Sequence, residues 1–354
     1  MPTLDRQTGI CHLFRVKRRE FIKGIAVAGV SACGLSALGQ LFIPFADAAT
    51  VPGFSFAHIT DLHLDVDGTN SWQHRKKSVA LFIDALRQVG RLPKLDFIVF
   101  GGDQIHAGPH DRESLKVFRR WVAQLDVPYY VLLGNTEVSP IPGSSTLGRD
   151  EYLRIWKGRG LRPGRSSWAF NPVRGVRFIG FDVTMDGQPQ GEAFPGRLRW
   201  LKRELEANRG KKLIIVATHQ LLHPTTPKDL TPEWSLWMVK NHDKVKKLLA
   251  RHRNVRLVIS GHHHSSRVET VGRITFVSDP AIVSYPCAFR VFTIGRKGIH
   301  VKNIALSDRT MVLRARELLL ANPYARTYDR DNPHAIASYS EGLSEEDRET
   351  KILL

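Results

Sequence analysis

Short unbroken runs of apolar residues recur along the chain and are typical of strands that are covered on both faces of a sheet. The predicted strands are, in chain order, residues 54–60, 95–100, 127–133, 176–181, 213–218 and 255–260. Patterns with helical spacing lie between most of them, at residues 78–89, 111–125, 197–206 and 236–252. This alternation predicts an α/β fold with mixed sheets.

The last third of the chain has a different pattern. Residues 274–278, 288–294 and 299–305 are apolar segments with turn signals between them, which predicts an antiparallel meander. Residues 322–354 are polar with scattered charge, and we expect an extended or partly disordered tail there. The folded domain is therefore predicted to span residues 49–321.

The first 48 residues have the order of a secretory signal peptide. A basic segment at 17–23 precedes an uncharged, weakly apolar stretch over 24–46. Ala46-Asp47-Ala48 follows and has the small-x-small form of a cleavage site. The Arg-Arg-x-Phe-Ile-Lys run that begins at Arg18 resembles the twin-arginine (Tat) motif. That resemblance implies passage through the Tat export machinery and a periplasmic or extracellular location.

Two alternatives to a cleaved signal stay open. The apolar stretch could persist as an N-terminal membrane anchor, although Gln40 and Pro44 weaken a spanning helix. Val30-Ser31-Ala32-Cys33 also resembles a lipobox, which would make Cys33 the acylated residue of an anchored lipoprotein.

The composition is that of a basic globular protein. The chain has 354 residues, of which 42% are hydrophobic, and it carries 52 Lys and Arg against 34 Asp and Glu. The net charge of +18 would attract phosphorylated substrates and could also support contact with an anionic membrane surface. Acidic residues are interleaved with the basic ones, which favours solvated helix faces, and no motif for specific nucleic-acid recognition is present. With three cysteines in all, a disulfide framework is excluded.

Polar residues that can bind metal follow the predicted strands directly. In open α/β sheets, ligands bind beyond the carboxyl ends of the strands. A single histidine in such a place is more often structural, but here the residues recur after successive strands. They are Asp61, His63, Asp103, Asn135, His219, His262 and His264. The pattern predicts that one edge of the sheet gathers a metal site.

The chemistry of these side chains narrows the kind of site. They supply imidazole, carboxylate and amide groups without a thiolate, which argues against a structural zinc site. Such ligands suit Mn, Fe, Zn or similar cations. Two metals that share a carboxylate would lie about 3.5–4 Å apart, a separation that stabilises both the attacking and the leaving oxygen at phosphorus.

The chain resembles the calcineurin-like metallophosphoesterase superfamily in five blocks, which are Asp61-x-His63, Gly102-Asp103, Gly134-Asn135, His219 and Gly261-His262-x-His264. The resemblance implies a four-layer α/β/β/α sandwich with two mixed sheets, and it makes residues 49–321 the phosphoesterase domain. It also implies that a dinuclear metal centre hydrolyses phosphoester bonds with metal-bound hydroxide. The implied substrate is a phosphorylated small molecule or lipid.

Carried over by position, the resemblance assigns the seven residues to two divalent or trivalent metal ions, which could be Mn, Fe or Zn. The first metal would be held by Asp61, His63 and His264, and the second by Asn135, His219 and His262. Asp103 would bridge the two metals, because a bridging position requires a carboxylate that faces both cations. The residues predicted to be catalytic are Asp103, Asn135 and His262.

The third block departs from the family pattern. The family usually has Gly-Asn-His-Asp/Glu, whereas this chain has Gly134-Asn135-Thr136-Glu137. Threonine can donate a hydrogen bond but cannot act as an acid near pH 7. Another residue could supply the proton, the substrate could have a good leaving group such as a phosphoanhydride, or the site could hydrolyse slowly. The candidate donors are His106, His110 and His223, and the residues predicted to contact substrate are Thr136, His106 and His223.

The sequence therefore predicts an exported, metal-dependent phosphoesterase. A phosphodiester or cyclic-nucleotide-like substrate is slightly favoured over a monoester. The alternatives are a hydrolase of pyrophosphate or nucleotide-lipid bonds, suited to the missing acid, and a metal-binding module with little turnover.

Overall fold

The computed structural model describes residues 51–138 and 147–354. The predicted signal peptide, with its Tat-type motif and Cys33, lies outside the described residues. The described strands are β1 (Phe54–Ile59), β2 (Phe97–Phe100), β3 (Tyr129–Val131), β4 (Trp168–Phe170), β5 (Val176–Gly180), β6 (Leu213–Thr218), β7 (Val255–Ser260), β8 (Arg267–Val271), β9 (Ile274–Ser278), β10 (Ala288–Gly295), β11 (Gly298–Ala305) and β12 (Glu349–Leu353).

Eight α-helices lie within the described part of the chain, and several 3₁₀ turns accompany them. The helices are α1 (Ser78–Arg91), α2 (Asp111–Val122), α3 (Arg149–Ile155), α4 (Pro195–Ala207), α5 (His242–Ala250), α6 (Arg309–Ala321), α7 (Pro323–Arg326) and α8 (Ala335–Glu341). Over the residues that the structure describes, no helix is both long and apolar enough to cross a membrane.

The strands form two six-stranded sheets. The first sheet has the order β12-β11-β10-β1-β2-β3, and the second has the order β4-β5-β6-β7-β9-β8. The neighbours β1, β2 and β3 are parallel, as are β5, β6, β7 and β9. The remaining strands each pair antiparallel with their neighbours; these strands are β10, β11 and β12 in the first sheet and β4 and β8 in the second. Both sheets are therefore mixed, and their parallel strands end at the edges where the candidate ligands follow.

Aromatic side chains pack the two sheets against each other. Phe178 of β5 contacts Phe56 of β1 and Phe97 of β2 edge-on, with ring centroids 5.3 and 5.5 Å apart. The outer face of the first sheet is covered by α1 and α2, where Phe118 packs on Phe100 at 5.0 Å. The outer face of the second sheet is covered by apolar residues of α4 and α5, including Leu201 and Leu249. The predicted four-layer sandwich with two mixed sheets is confirmed.

Two secondary-structure predictions for the second half of the chain are wrong. The three apolar segments near residues 274–305 do not form one meander, because β9 joins the second sheet beside β7 whereas β10 and β11 belong to the first. The helix expected over 236–252 begins only at His242, and Trp237 ends a short 3₁₀ turn before it. Alternation of apolar residues marks a strand but does not say which sheet it joins.

The tail expected at 322–354 is folded, so that prediction is also wrong. The segment contributes α7, α8 and β12, and β12 pairs antiparallel with β11. Tyr328 is buried and donates a hydrogen bond to Asp229 at 2.7 Å. A few buried contacts of this kind order a segment whose composition is polar.

A buried arginine connects both sheets to this C-terminal segment. Arg290 of β10 is fully buried, and its Nε lies 2.8 Å from Asp279, which follows β9 in the other sheet. Its Nη2 donates to the backbone carbonyl of Asp347, just before β12, at 2.7 Å. The second oxygen of Asp279 accepts from His58 of β1 at 2.6 Å. Four separate parts of the fold thus share one ion-pair network.

Replacement of Arg290 by methionine should strongly destabilise the protein. The change leaves the Asp279 carboxylate buried without its cation, which costs about 3–5 kcal/mol in comparable pairs. Urea unfolding monitored by tryptophan fluorescence would measure the loss. Lys302→Met on the adjacent strand β11 is the matched control, because Lys302 pairs with Glu349 at an exposed position and should matter far less. Equal effects of the two variants would contradict the proposed importance of the network.

Candidate metal centre

The candidate ligands follow the strand ends in a strained backbone conformation. Five of the seven have positive φ angles, with values of 55° for Asp61, 39° for His63, 51° for Asp103, 69° for His262 and 57° for His264. Non-glycine residues rarely adopt this region, and it costs free energy when they do. The positive φ angles let the chain turn sharply at the end of a strand. These turns bring side chains from separate loops to one edge of the sheets.

Two glycines of the motifs allow backbone segments to approach these side chains closely. A Cβ atom on Gly134 would collide with the backbone nitrogen and carboxylate of Asp103. A Cβ atom on Gly261 would collide with the side chains of Thr60 and Asp61. The glycine that precedes each ligand in these motifs is therefore a packing requirement of the site.

The structure brings Asp61, His63 and His264 together as a first group. One ligand atom from each lies within 4.8 Å of the others. His63 Nε2 lies 3.3 Å from His264 Nε2, which in turn lies 3.2 Å from Asp61 Oδ1. All three side chains are almost completely buried, so this group could hold one metal ion.

Asp103, His219 and His262 form a second group with the same spacing. His219 Nε2 lies 3.3 Å from Asp103 Oδ1 and 3.2 Å from Asn135 Oδ1. The amide oxygen of Asn135 therefore joins this group, as the sequence predicts. The four side chains could hold a second metal ion.

Asp103 lies between the two groups. Its Oδ1 faces His219 of the second group, and its Oδ2 lies 3.4 Å from His63 Nε2 of the first. One carboxylate thus offers one oxygen to each group. This geometry suits a carboxylate that is shared by two cations.

Hydrogen bonds orient the side chains whose nitrogen and oxygen atoms could bind the metal ions. His219 donates from Nδ1 to the backbone carbonyl of Gly101 at 2.9 Å, and His264 Nδ1 pairs with the Ser284 hydroxyl at 2.7 Å. These contacts orient the rings and leave their Nε2 atoms for metal binding. Asp61 Oδ1 is buried and receives no hydrogen bond. Although burial opposes ionisation, His264 lowers the pKa of Asp61, so a charged oxygen is available.

The charges of the second group favour cation binding as well. Burial opposes ionisation of Asp103, but His219 holds the pKa of this carboxyl well below its usual range. Burial also opposes the charged form of His219, yet the Asp103 carboxylate raises the pKa of His219 to about 9. Burial lowers the pKa of His262 in this group, and that of His63 in the first group, to about 3, so both rings are neutral and able to ligate near pH 7. A metal ion would displace the proton from His219.

Glu137 has a role that the sequence left unassigned. Its side chain is fully buried and accepts hydrogen bonds from the backbone N–H groups of Asp103, Ile105 and Gly134 at 2.7–3.1 Å. Burial raises its pKa to about 8, with the Asp103 charge adding to the shift. Glu137 is therefore not a surface acid of the loop but the group that joins two ligand-bearing loops.

The residues predicted to contact substrate have different positions. Thr136 lies at the centre, where its amide donates to Asp103 Oδ1 at 3.0 Å and its hydroxyl donates to the Ile105 carbonyl at 2.7 Å. His106 contacts the ring of His63, with centroids 5.8 Å apart. His223 instead pairs with Glu269 of β8 at 3.3 Å and packs against Phe276, so the structure does not bring it to the ligand groups.

Contact with Arg75 weakens His106 as a candidate proton donor. His106 accepts a hydrogen bond from Arg75 on its Nε2, so that nitrogen has no proton to give. Burial and the Arg75 charge lower the pKa of His106 to about 4. His110 is largely exposed and lies 3.7 Å from Asp67.

Two tryptophans flank the centre, one on each group. Trp72 packs on His264 with ring centroids 4.7 Å apart, and Trp237 packs on His262 at 5.1 Å. Both are partly exposed, which is consistent with walls of a substrate pocket. Between the two ligands His262 and His264, His263 turns away and pairs with the buried Asp229 at 2.9 Å. Asp229 follows no predicted strand, so sequence reasoning missed it.

A four-layer sandwich with two histidine-rich groups that share a carboxylate defines a dinuclear metallohydrolase. The sequence pattern of the calcineurin-like phosphoesterases matches residues 54–266. The chain belongs to this family, and it is a hydrolase of phosphoester bonds that uses two metal ions.

Individual proteins with similar sequences or a similar fold are phosphodiesterases or phosphatases by name. A probable cyclic nucleotide phosphodiesterase of Synechococcus is 28% identical over 239 residues, which cover 66% of this chain and 82% of that protein. A probable glycerophosphodiester phosphodiesterase of Arcobacter nitrofigilis is 27% identical over 161 residues, covering 46% and 55%. The crystal structure of a dimetal phosphatase from Danio rerio has a TM-score of 0.56 at 18% identity, covering 72% of this chain and 99% of that one.

Loss of the shared carboxylate should disrupt metal binding at both groups. The Asp103→Asn variant keeps its size but offers one charged oxygen fewer to each cation, so we expect fewer than two metal ions per chain. Elemental analysis of dialysed protein measures the content. His110→Gln, at an exposed position, should bind as much metal as the wild type. Full metal content in Asp103→Asn would refute the shared-carboxylate geometry.

Proposed function

We propose that the chain is an exported phosphodiesterase in which two metal ions lie at the groups described above. Asp61, His63 and His264 would hold one ion. The other would be held by Asn135, His219 and His262, with Asp103 between the two. The observation that carries this proposal is the position of Asp103, whose two oxygens face different groups.

The chain's own residues set the charge of the site. Two bound cations would activate water and offset the negative charge of the phosphate. Asn135 contributes a neutral oxygen, which leaves the centre more positive toward phosphate than a carboxylate would. Arg75 adds a positive charge near the first group, since it contacts His106, and the carboxylate paired with it among the described residues, that of Asp65, lies 3.8 Å away.

A diester substrate agrees with the relatives, because both of the relatives compared above are named as phosphodiesterases. The export part of the proposal rests on the basic, apolar and small order of residues 1–48 and on its resemblance to a Tat signal. A periplasmic or extracellular location follows from it, and the lipoprotein form anchored through Cys33 is its alternative.

The leaving group departs, in this proposal, without a proton from the third block. Thr136 cannot serve as an acid, and its hydroxyl already donates to the Ile105 carbonyl. His106 is held as an acceptor by Arg75. The site should therefore prefer substrates whose leaving group is stable as an anion. This observation also favours a second candidate function, hydrolysis of a phosphoanhydride.

The metal-loaded protein should be assayed against a chromogenic diester, a chromogenic monoester and a pyrophosphate. We expect the diester to be hydrolysed fastest, and Asp103→Asn to lose this activity. Faster turnover of the pyrophosphate would select the second candidate. Absence of turnover on all three substrates, with metal bound, would overturn the proposed function.

Introduction of histidine at Thr136 should restore acid assistance. In the Thr136→His variant we expect kcat/KM to rise by about 10²-fold or more on an alkyl diester, the lower end of the range for acid catalysis. The aryl diester needs no proton and should change little. Thr136→Ser keeps the hydroxyl and is the matched control. A rise that is equal for both diesters, or none on the alkyl diester, would refute the missing-acid explanation.

A further inference from the structure

A groove of about 440 Å³ lies on the flank of the first sheet. It runs between the second half of α2 and the segment that follows α3, with the start of β3 beneath it. Five of its lining side chains are cationic, namely Lys116, Arg119, Arg120, Lys157 and Arg159. None of the described residues that line it is acidic.

The positive charges of the groove are largely uncompensated. Among the residues that the structure describes, no carboxylate forms an ion pair with Arg119, Arg120, Lys157 or Arg159. Lys116 has only Glu113, at 3.8 Å on the exposed surface. The C-terminal end of α2 stabilises the arginines of its last turn through the helix dipole. Lys157 and Arg159 come from a different segment, so the dipole of α2 does not explain why they are gathered at the same groove.

Arg159 is held in place by an aromatic ring. Its guanidinium carbon lies 4.0 Å from the ring centroid of Tyr129, which is itself buried. Such a contact restrains a side chain that would otherwise lose much conformational freedom on binding a ligand. The backbone carbonyl of Arg159 also accepts from Val131 at 2.9 Å, so β3 fixes the segment that carries it.

The groove is separate from the metal centre. Tyr129 is the first residue of β3, whereas Asn135 follows the other end of that strand. None of the lining residues belongs to the two ligand groups or contacts them through an aromatic ring. A ligand in the groove would therefore not be the substrate in the act of hydrolysis.

We propose that this groove is a second, non-catalytic binding site for an anion that carries clustered phosphate groups. Three of the five cations are arginines, whose planar forks match phosphate oxygens in pairs. The volume lies in the range of sites for small molecules. Ala123 and Ile155 add apolar surface between the charges. The phosphates could belong to a soluble polyphosphorylated molecule or to anionic lipid headgroups, and the experiment separates these sources.

The test compares two variants with the same loss of charge. The groove variant carries Arg119→Gln, Arg120→Gln and Lys157→Gln. The control variant carries Lys244→Gln, Lys247→Gln and Arg251→Gln, at exposed positions of α5 and its C-terminal cap. Binding of imidotriphosphate, an analogue of tripolyphosphate whose bridging P–N–P bonds resist hydrolysis, to the metal-loaded protein is measured by calorimetry at physiological salt. Binding to vesicles with and without phosphatidylglycerol is measured by sedimentation. The metal centre is the same in both variants, so a difference between them reports on the groove.

We expect the groove variant to lose at least about tenfold in affinity, and the control variant to lose about twofold or less. A loss for imidotriphosphate identifies a soluble ligand, and a loss only for phosphatidylglycerol vesicles identifies lipid headgroups. Equal losses in the two variants would show a diffuse field, and binding to neither probe would show no site. Either of these results overturns the proposal. The single change Arg159→Gln provides a second, milder test with the same expected direction.

Discussion

The candidate metal centre depends on one buried negative charge, the Asp103 carboxylate, which has to be balanced by positive charge. Asp103 is almost fully buried, with an imidazole of one group on one oxygen and an imidazole of the other group on the second. Three neighbouring features of the structure accommodate that carboxylate. The third block donates an amide to it, Glu137 binds its backbone, and a glycine leaves room for it. The cost of burying this charge is offset in part by the His219 imidazolium, and bound cations would offset the rest.

The same constraint explains why the third block can tolerate threonine. The contribution of Thr136 to the architecture is its backbone amide, which any residue except proline supplies. The side chain at that position donates no hydrogen bond to a ligand and binds the Ile105 carbonyl instead. The architecture of the centre and its proton chemistry are therefore separable, so a member of this family can keep the first while changing the second.

Much of the fold and of the centre could be predicted because both follow from local patterns. Apolar runs marked the strands, and polar residues directly after them marked the ligands, which meet because parallel strands end at one edge. What escaped prediction depends on partners that are distant in sequence. The segment near Tyr328 looks disordered by composition and is ordered by Asp229, about a hundred residues earlier. The groove combines α2 with residues after α3, and neither stretch is unusual alone.

The strand order of the first sheet has a consequence for how the chain acquires its structure. β1 lies between β2 and β10, and Phe54 pairs with Ile294. During synthesis, β1 must wait for a partner made much later, so the backbone N–H and C=O groups along one of its edges stay unpaired meanwhile. Folding dominated by such distant pairings is slow, and it exposes unpaired strand edges to aggregation. A holding chaperone that shields the nascent β1–β3 region would relieve this vulnerability.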